Sequence, residues 1–364
     1  VTAAIILPPR EMFSAGGSGA VGLLARHLAQ GGDALVYGMP TASPFTDVLF
    51  QPVVPRLRPA SLAIRYAAGL LAAMRLAKPS TIEVHNRPDI ALYLAARLPG
   101  VPVLLFLHND PQGMRGAKAP AERCALLAKM ARIATVSAYL RSRLIDGVPD
   151  APDVAIFPNF VDLAAMPKPT PEQIILFAGR VVADKGADSF VAACALALPQ
   201  LPGWRAEMIG ADRFGADSPE TPFLRTLRPQ AERAGVSMRG WKPHAEVLAA
   251  MARAAIVVVP SRWPEPFGLA ALEAMACGAA LLCSPRGGLV EVMGAAAMPI
   301  DPDDPPGIAA VIVQLARDPF ARAALSQAGL ARAASFSAET ARARLADLRT
   351  EAVRRWPNRT AHPI

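Results

Sequence analysis

Short apolar runs alternate with longer stretches of helical spacing along most of the chain. In the first part the runs are Ala3–Leu7, Ala34–Gly38, Thr81–His85, Val101–Leu107, Arg132–Val136 and Asp153–Phe157. Between several of them lie Val21–Gln30, Pro88–Leu98 and Ala121–Met130, Ala- and Leu-rich segments that read as helices. The proline-rich passage Leu163–Glu172 interrupts the pattern and reads as a linker. Alternation restarts at Gln173–Ala178 and continues through Trp204–Ile209, Val236–Arg239, Ala255–Val259, Ala279–Cys283 and Ala297–Ile300. Two β/α series predict an α/β protein of two doubly wound parallel-sheet domains, residues 1–165 and 166–336. From Pro319 onward the pattern is helical, with no strand left to pair.

Composition narrows the class. A length of 364 residues suits two cores better than one, and 52% hydrophobic against 19% charged residues excludes a disordered chain. The net charge of +8 points either to an anionic partner or to an Arg- and Ala-rich background. Aromatic residues are 6% of the chain and do not interleave with the basic ones, so no nucleic-acid partner is expected. Cys124, Cys194, Cys277 and Cys283 form no C-x-x-C pair, which argues against a zinc site or disulfide framework and for a reducing, cytoplasmic location. Ala3–Leu7 is too short for a signal-peptide core and runs into two prolines. The apolar stretch Ser61–Ala77 carries Arg65 and Arg75 and makes a poor spanning helix.

Ligands in doubly wound sheets sit beyond the carboxyl ends of the strands. After the first strand comes Gly16-Gly17-Ser18-Gly19, a turn opening a helix; it is either a close-approach loop offering free amides to an anion or a plain tight turn. His85-Asn86 follows the third strand, and His108-Asn109-Asp110 follows the fourth. In the second half, Gly179-Arg180 and Lys185-Gly186 place two cations beside a helix start, an arrangement suited to a diphosphate. The segment SRWPEPFGLAALEAMACG then sets Glu265 between Pro264 and Pro266, just past a buried strand. A helix expected over Phe267–Cys277 follows, with free amides at Phe267, Gly268 and Leu269 and with Glu273 about two turns in. No third carboxylate or histidine lies near this pair in sequence, so a metal site is not expected there. Asp301-Pro302-Asp303-Asp304 reads as a turn and helix cap.

Gly179-Arg180 with Lys185-Gly186, the Pro-Glu-Pro-Phe-Gly block with its Glu-x7-Glu spacing, Pro158-Asn159-Phe160-Val161-Asp162 and Gly16-Gly17 together resemble the retaining glycosyltransferases of family four. The resemblance covers nearly the whole chain and implies the GT-B architecture of two facing Rossmann-like domains. It implies that the second domain binds a nucleotide sugar and the first an acceptor, and that a last helix, about 337–364, packs back on the first domain. On that resemblance Arg180, Lys185 and the amides around Pro266, Phe267, Gly268 and Leu269 neutralise the diphosphate, with Gly179 and the Gly16-Gly17 loop close by. Glu265 holds the donor sugar, Glu273 the ribose, and His108 lies near the transferred sugar. His85, Asn86, Asn109 and Asp110 are then candidates for the acceptor. Phe160 stands where the family usually has glycine, so Asn159 is not counted among the expected contacts.

The function expected is metal-independent, retaining transfer of a hexose from a UDP-sugar, or next a GDP-sugar, to a glycan or lipid-linked acceptor in cell-envelope glycan synthesis, with no cofactor. The alternative is a sugar-nucleotide epimerase of the same architecture, which needs no acceptor. A nicotinamide oxidoreductase lacks its G-x-G-x-x-G fingerprint here. Arg56, Arg58, Arg65, Arg75 and Lys78 around the Ser61–Ala77 helix, with Arg115, Lys118, Arg123 and Lys129, raise two readings: an anionic membrane surface on the inner face of the cytoplasmic membrane, or a core helix with solvated tips.

Overall fold

Thirteen strands, all paired in parallel, make two separate sheets among the described residues, which are 3–57, 60–212 and 220–356 of the computed structural model. The first sheet contains β1 (Ala3–Ile6), β2 (Ala34–Gly38), β3 (Phe50–Pro52), β4 (Ile82–His85), β5 (Val103–Leu107), β6 (Arg132–Thr135) and β7 (Ala155–Ile156), in the order β3-β2-β1-β4-β5-β6-β7. Ile5 pairs with Val36 on one side and Glu83 on the other, so the order reverses between β1 and β4. The second sheet contains β8 (Glu172–Ala178), β9 (Arg205–Ile209), β10 (Val236–Gly240), β11 (Ala254–Val259), β12 (Ala280–Cys283) and β13 (Met298–Pro299), in the order β10-β9-β8-β11-β12-β13. Its reversal falls between β8 and β11.

Two compact units carry these sheets. One is Val1–Asn159 with Ala338–Ile364, the other Phe160–Ser337. The chain joins the second unit ahead of the proline-rich passage, because the Val161 amide already donates to Phe336 O at 3.0 Å. Helices cover both faces of each sheet, and all five residues of β5 are buried as its apolar run requires. Tyr66, Leu70, Met74 and Leu126 pack on Ile82, Val84 and Leu105 in the first core. Phe190, Cys194, Leu227 and Ile312 pack on Ile175, Phe177, Ile256 and Val258 in the second.

The helix Ala338–Arg355 belongs to the first unit, and 357–364, included in the expected last helix, lie outside the described residues. It buries Ala341, Leu345 and Ala352 and reaches through Arg349 to Glu83, a fully buried carboxylate in the middle of β4. One strand was not expected: β3 is three residues long and none of them is buried, so it leaves no apolar pattern.

Candidate functional site

The carboxyl end of β11 builds a polar corner of the second unit. Glu265 forms a parallel bridge with Gly287, and the Gly288 amide donates to Glu265 O at 2.7 Å. Gly287 has φ of 63°, and a Cβ there would lie 2.5 Å from Glu265 O, so the Pro-Glu-Pro loop rests on bare backbone. Glu265 is 9% exposed; its Oε1 accepts from Ser261 Oγ at 2.8 Å and pairs with the Lys185 ammonium, while Oε2 has no partner among the described residues. The following helix is Leu269–Ala276, starting later than the expected Phe267. Gly268 is the reason: at φ 107° it cannot be helical, and a Cβ would meet Leu289 Cδ2 at 2.2 Å. The expected free amides remain, since among the described residues no hydrogen bond uses the N–H of Phe267, Gly268, Leu269 or Ala270.

Lys185 comes from the neighbouring strand end. A 3-10 turn, Ala183–Lys185, follows β8, and the left-handed Gly186 lets the turn press on Pro260. Asp184 O accepts from the amides of Arg262 and Trp263, at 2.9 and 3.0 Å, which ties the β8 and β11 loops together. Lys185, Ser261 and Glu265 therefore form one cluster. Gly179 donates its amide to Ile209 O at 3.0 Å, and Arg180 beside it is exposed with no side-chain partner among the described residues. Glu273, 8% exposed, pairs instead with His244 Nε2 at 2.8 Å. That hydrogen bond raises the His244 pKa against the opposing effect of burial. The Asp301–Asp304 segment is a turn and cap: Asp303 pairs with Arg262 and Arg286, each at 2.7 Å, and Asp304 accepts the Gly307 amide at 3.0 Å.

In the first unit, the glycine-rich turn precedes the helix Ala20–Ala29, but its amides are not simply free for an anion. Glu11 turns its carboxylate onto that helix start and accepts the Gly22 amide at 3.0 Å. Burial pushes the Glu11 pKa up, with the Gly22 and Gly19 amides opposing. The chain thus supplies its own acceptor for the Gly22 amide at that helix start. Gly17 lies against Met12, whose methyl would be 2.0 Å from a Cβ, while Gly16 faces open space.

His85, His108 and Asn159 form a buried chain, with His85 Nδ1 to His108 Nε2 at 2.8 Å and His108 Nδ1 to Asn159 Oδ1 at 3.2 Å. His85 Nε2 is buried without a partner. An orphaned lone pair costs less than an orphaned N–H, so the protons run one way: His85 Nδ1–H donates to His108, and His108 Nδ1–H donates to Asn159. Burial moves the His108 pKa down to about 4, and burial with the neighbouring His108 holds that of His85 well below its ordinary value, so both rings are neutral near pH 7. His85 is 1% exposed and sits behind His108, not at a surface an acceptor could touch. Asn86, at φ 55°, uses its Oδ1 to hold the amides of His108 at 2.7 Å and Asn109 at 3.2 Å. Asp110 is engaged by the Gln112 amide and by Arg143, leaving Asn109 as the exposed member of this group.

Ser261, His244, Gly287-Gly288, Glu11 and Asn159 were not among the expected site residues. All of them stand within about five residues beyond a strand end, where the strand-end rule could have selected them. Asn159 was set aside on the strength of Phe160; the structure joins it to His108 instead.

Comparison with known proteins places this geometry. Residues 162–332 match the family model described as "Glycosyl transferases group 1", and residues 16–165 match "Glycosyltransferase Family 4". A D-inositol 3-phosphate glycosyltransferase of Thermobispora bispora is 32% identical over 51% of this chain and 45% of its own length. A glycogen synthase of Mycobacterium tuberculosis is 28% identical over 67% of this chain and 62% of its own. The chain thus spans about half to three fifths of the length of these curated relatives. HepE of Anabaena, solved in complex with UDP and glucose, superposes with a TM-score of 0.75 at 18% identity, covering 95% of this chain and 98% of that one. Sucrose-phosphate synthase of Thermosynechococcus elongatus gives 0.76 at 19%, covering 96% and 98%. These two likenesses establish the fold. With both of its halves matched in order by glycosyltransferase models, the chain belongs to the GT-B glycosyltransferases.

Proposed function

We propose that the chain is a retaining glycosyltransferase that moves a hexose from a UDP-sugar, or next a GDP-sugar, to a hydroxyl of a glycan or lipid-linked acceptor without a metal ion. The carrying observation is the β11 corner: a nearly buried Glu265 beside Lys185, in front of four unengaged amides at a helix start. As the C1–O bond of a nucleotide sugar breaks, charge builds on the leaving β-phosphate, and fixed amides with Arg180 and Lys185 stabilise that charge. The Lys185 ammonium has three donors, so its pairing with Glu265 leaves two for phosphate oxygens. Glu265 Oε2 is left to accept from sugar hydroxyls, and Glu273 to accept from the ribose. His108, neutral and oriented by His85 and Asn159, is a polar neighbour of the transferred sugar and not a cation. The acceptor hydroxyl then attacks from the face the leaving group departs.

The relatives are named for different substrates, a phosphorylated inositol in one case and glycogen in another, so the acceptor is proposed by class. We place the protein in the cytoplasm, against the inner face of the membrane. Val54, Leu57, Leu62 and Ile64 are exposed, Leu57 at 93%, in the segment that carries Arg56 and Arg65. Arg75, Lys78, Arg115, Lys118 and Lys129 are exposed as well. Arg123 is withdrawn from this set: it is 2% exposed and donates to the backbone carbonyls of Ala117, Lys118, Leu144 and Asp146. Arg58 lies outside the described residues. Among the described residues no helix is long and apolar enough to cross a membrane.

The reading is tested by incubating the chain with UDP-hexoses and a panel of acceptors in excess EDTA. Transfer is expected to persist with retained anomeric configuration; loss on chelation, restored by manganese or magnesium, would overturn the metal-free mechanism. A changed sugar nucleotide without any acceptor would favour the epimerase.

A further inference from the structure

We propose that a cavity in the first unit binds a phosphoryl group carried by the acceptor, a proposal that rests on the glycosyltransferase reading above. The cavity measures about 490 Å³ and lies beyond the carboxyl ends of β1, β4 and β5, lined among others by Arg10, Ser61, Arg87, Asp89 and Arg115. Three guanidiniums thus meet a single carboxylate. Arg87 is held by that carboxylate in a two-pronged pair, at 2.9 and 2.5 Å, and its charge is offset. Arg10 and Arg115 have no side-chain partner among the described residues. Ser61 precedes the helix Leu62–Ala77 without capping it through its side chain, and no acidic residue stands in that helix's first turn. Two uncompensated cations therefore share one concave space with a free hydroxyl.

The charge count selects the ligand class. A carboxylate brings one negative charge and two oxygens, whereas a phosphate monoester brings about 1.5 to 2 charges at pH 7 and three strong acceptors. Guanidinium forks match such a group better than they match a neutral sugar. Location ties the cavity to the reaction. Asn86, which also lines it, is the residue whose side chain pins the amides of His108 and Asn109. A phosphoryl group seated on Arg10 and Arg115 would hold the acceptor against the loop that carries His108.

The test keeps the two readings apart. The chain is first saturated with UDP, which fills the proposed diphosphate site and reports on the donor reading by itself. Glycerol 1-phosphate is then titrated by calorimetry into the wild type and into the double variant Arg10→Met, Arg115→Met. One further saturable site is expected in the wild type, weakened about 10-fold or more in the variant with UDP affinity unchanged. Equal affinity in the variant, no second site beside normal UDP binding, or equally tight binding of glucuronate would overturn the cavity assignment and leave the donor reading standing. Failure of UDP to bind would overturn the donor reading and the acceptor role with it. A parallel arm uses vesicles of phosphatidic acid against phosphatidylcholine. Binding to the former that needs Arg10 and Arg115 assigns a lipid-borne phosphate, and glycerol 1-phosphate binding alone assigns a soluble ester.

Discussion

Glu265 and Glu273 are both almost closed to solvent, yet their partners differ, a lysine and a serine for one and a histidine for the other. Contacts to a sugar that flattens and gains positive charge change during reaction, whereas contacts to a ribose do not. Glu265→Gln should therefore lower kcat while UDP still binds, and Glu273→Gln should weaken UDP itself, each by about 10- to 100-fold. Calorimetric titration of UDP into both variants decides this; equal loss in both, or loss only in Glu265→Gln, would reverse the roles. At this scale the sequence was legible where chemistry clustered, as in Gly179-Arg180, Lys185 and Glu265, whose setting at strand ends is local. His244 and Ser261 stood where the strand-end rule looks, but their roles were not legible, because a lone polar residue acquires meaning only when the fold brings its partner. For His244 that partner is Glu273, on a different helix, and for Glu11 it is the start of the helix Ala20–Ala29.

Strands and helices followed the apolar runs closely, because a strand covered on both faces is mostly apolar, with β4 and its buried Glu83 and His85 the exception. Where an element is short or exposed, as β3 is, packing leaves no such imprint. The start of the helix Leu269–Ala276 depended on Leu289, a contact absent from local sequence. The helix Ala338–Arg355 carries a testable burden. Arg349 is the cation for Glu83, which is 0% exposed, and it also pairs with Asp33. Arg349→Met would leave a buried carboxylate unpaired and is expected to destabilise the first unit by about 3–5 kcal/mol near neutral pH. Burial already raises the Glu83 pKa above its ordinary value, with Arg349 opposing, so removing the arginine raises it further. A raised carboxyl pKa gives stability that is present at low pH and lost as pH rises through the folded value. Denaturant unfolding should thus show the gap between variant and wild type narrowing from pH 8 toward pH 5, and adding Glu83→Leu should recover most of it. A gap that does not change with pH would refute the assignment.

On the proposed membrane placement, the net charge of +8 and the exposed Leu57 would act together. Co-sedimentation with anionic vesicles is expected at low ionic strength, falling as salt shortens the screening length to about 8 Å near 0.15 M, and Leu57→Glu should weaken it. Absence of binding at low salt would remove the membrane placement. The first unit is also assembled from two stretches of chain with the entire second unit between them. That arrangement sets an order of events on the ribosome. Glu83 and Arg349 are 266 positions apart, so at about 5–20 residues per second the carboxylate waits on the order of tens of seconds for its cation. Throughout that interval the Phe160–Ser337 unit can complete its own sheet, while β4 carries an uncompensated charge that resists enclosure. The stretch of the first unit that is made before the second unit is therefore completed only after it.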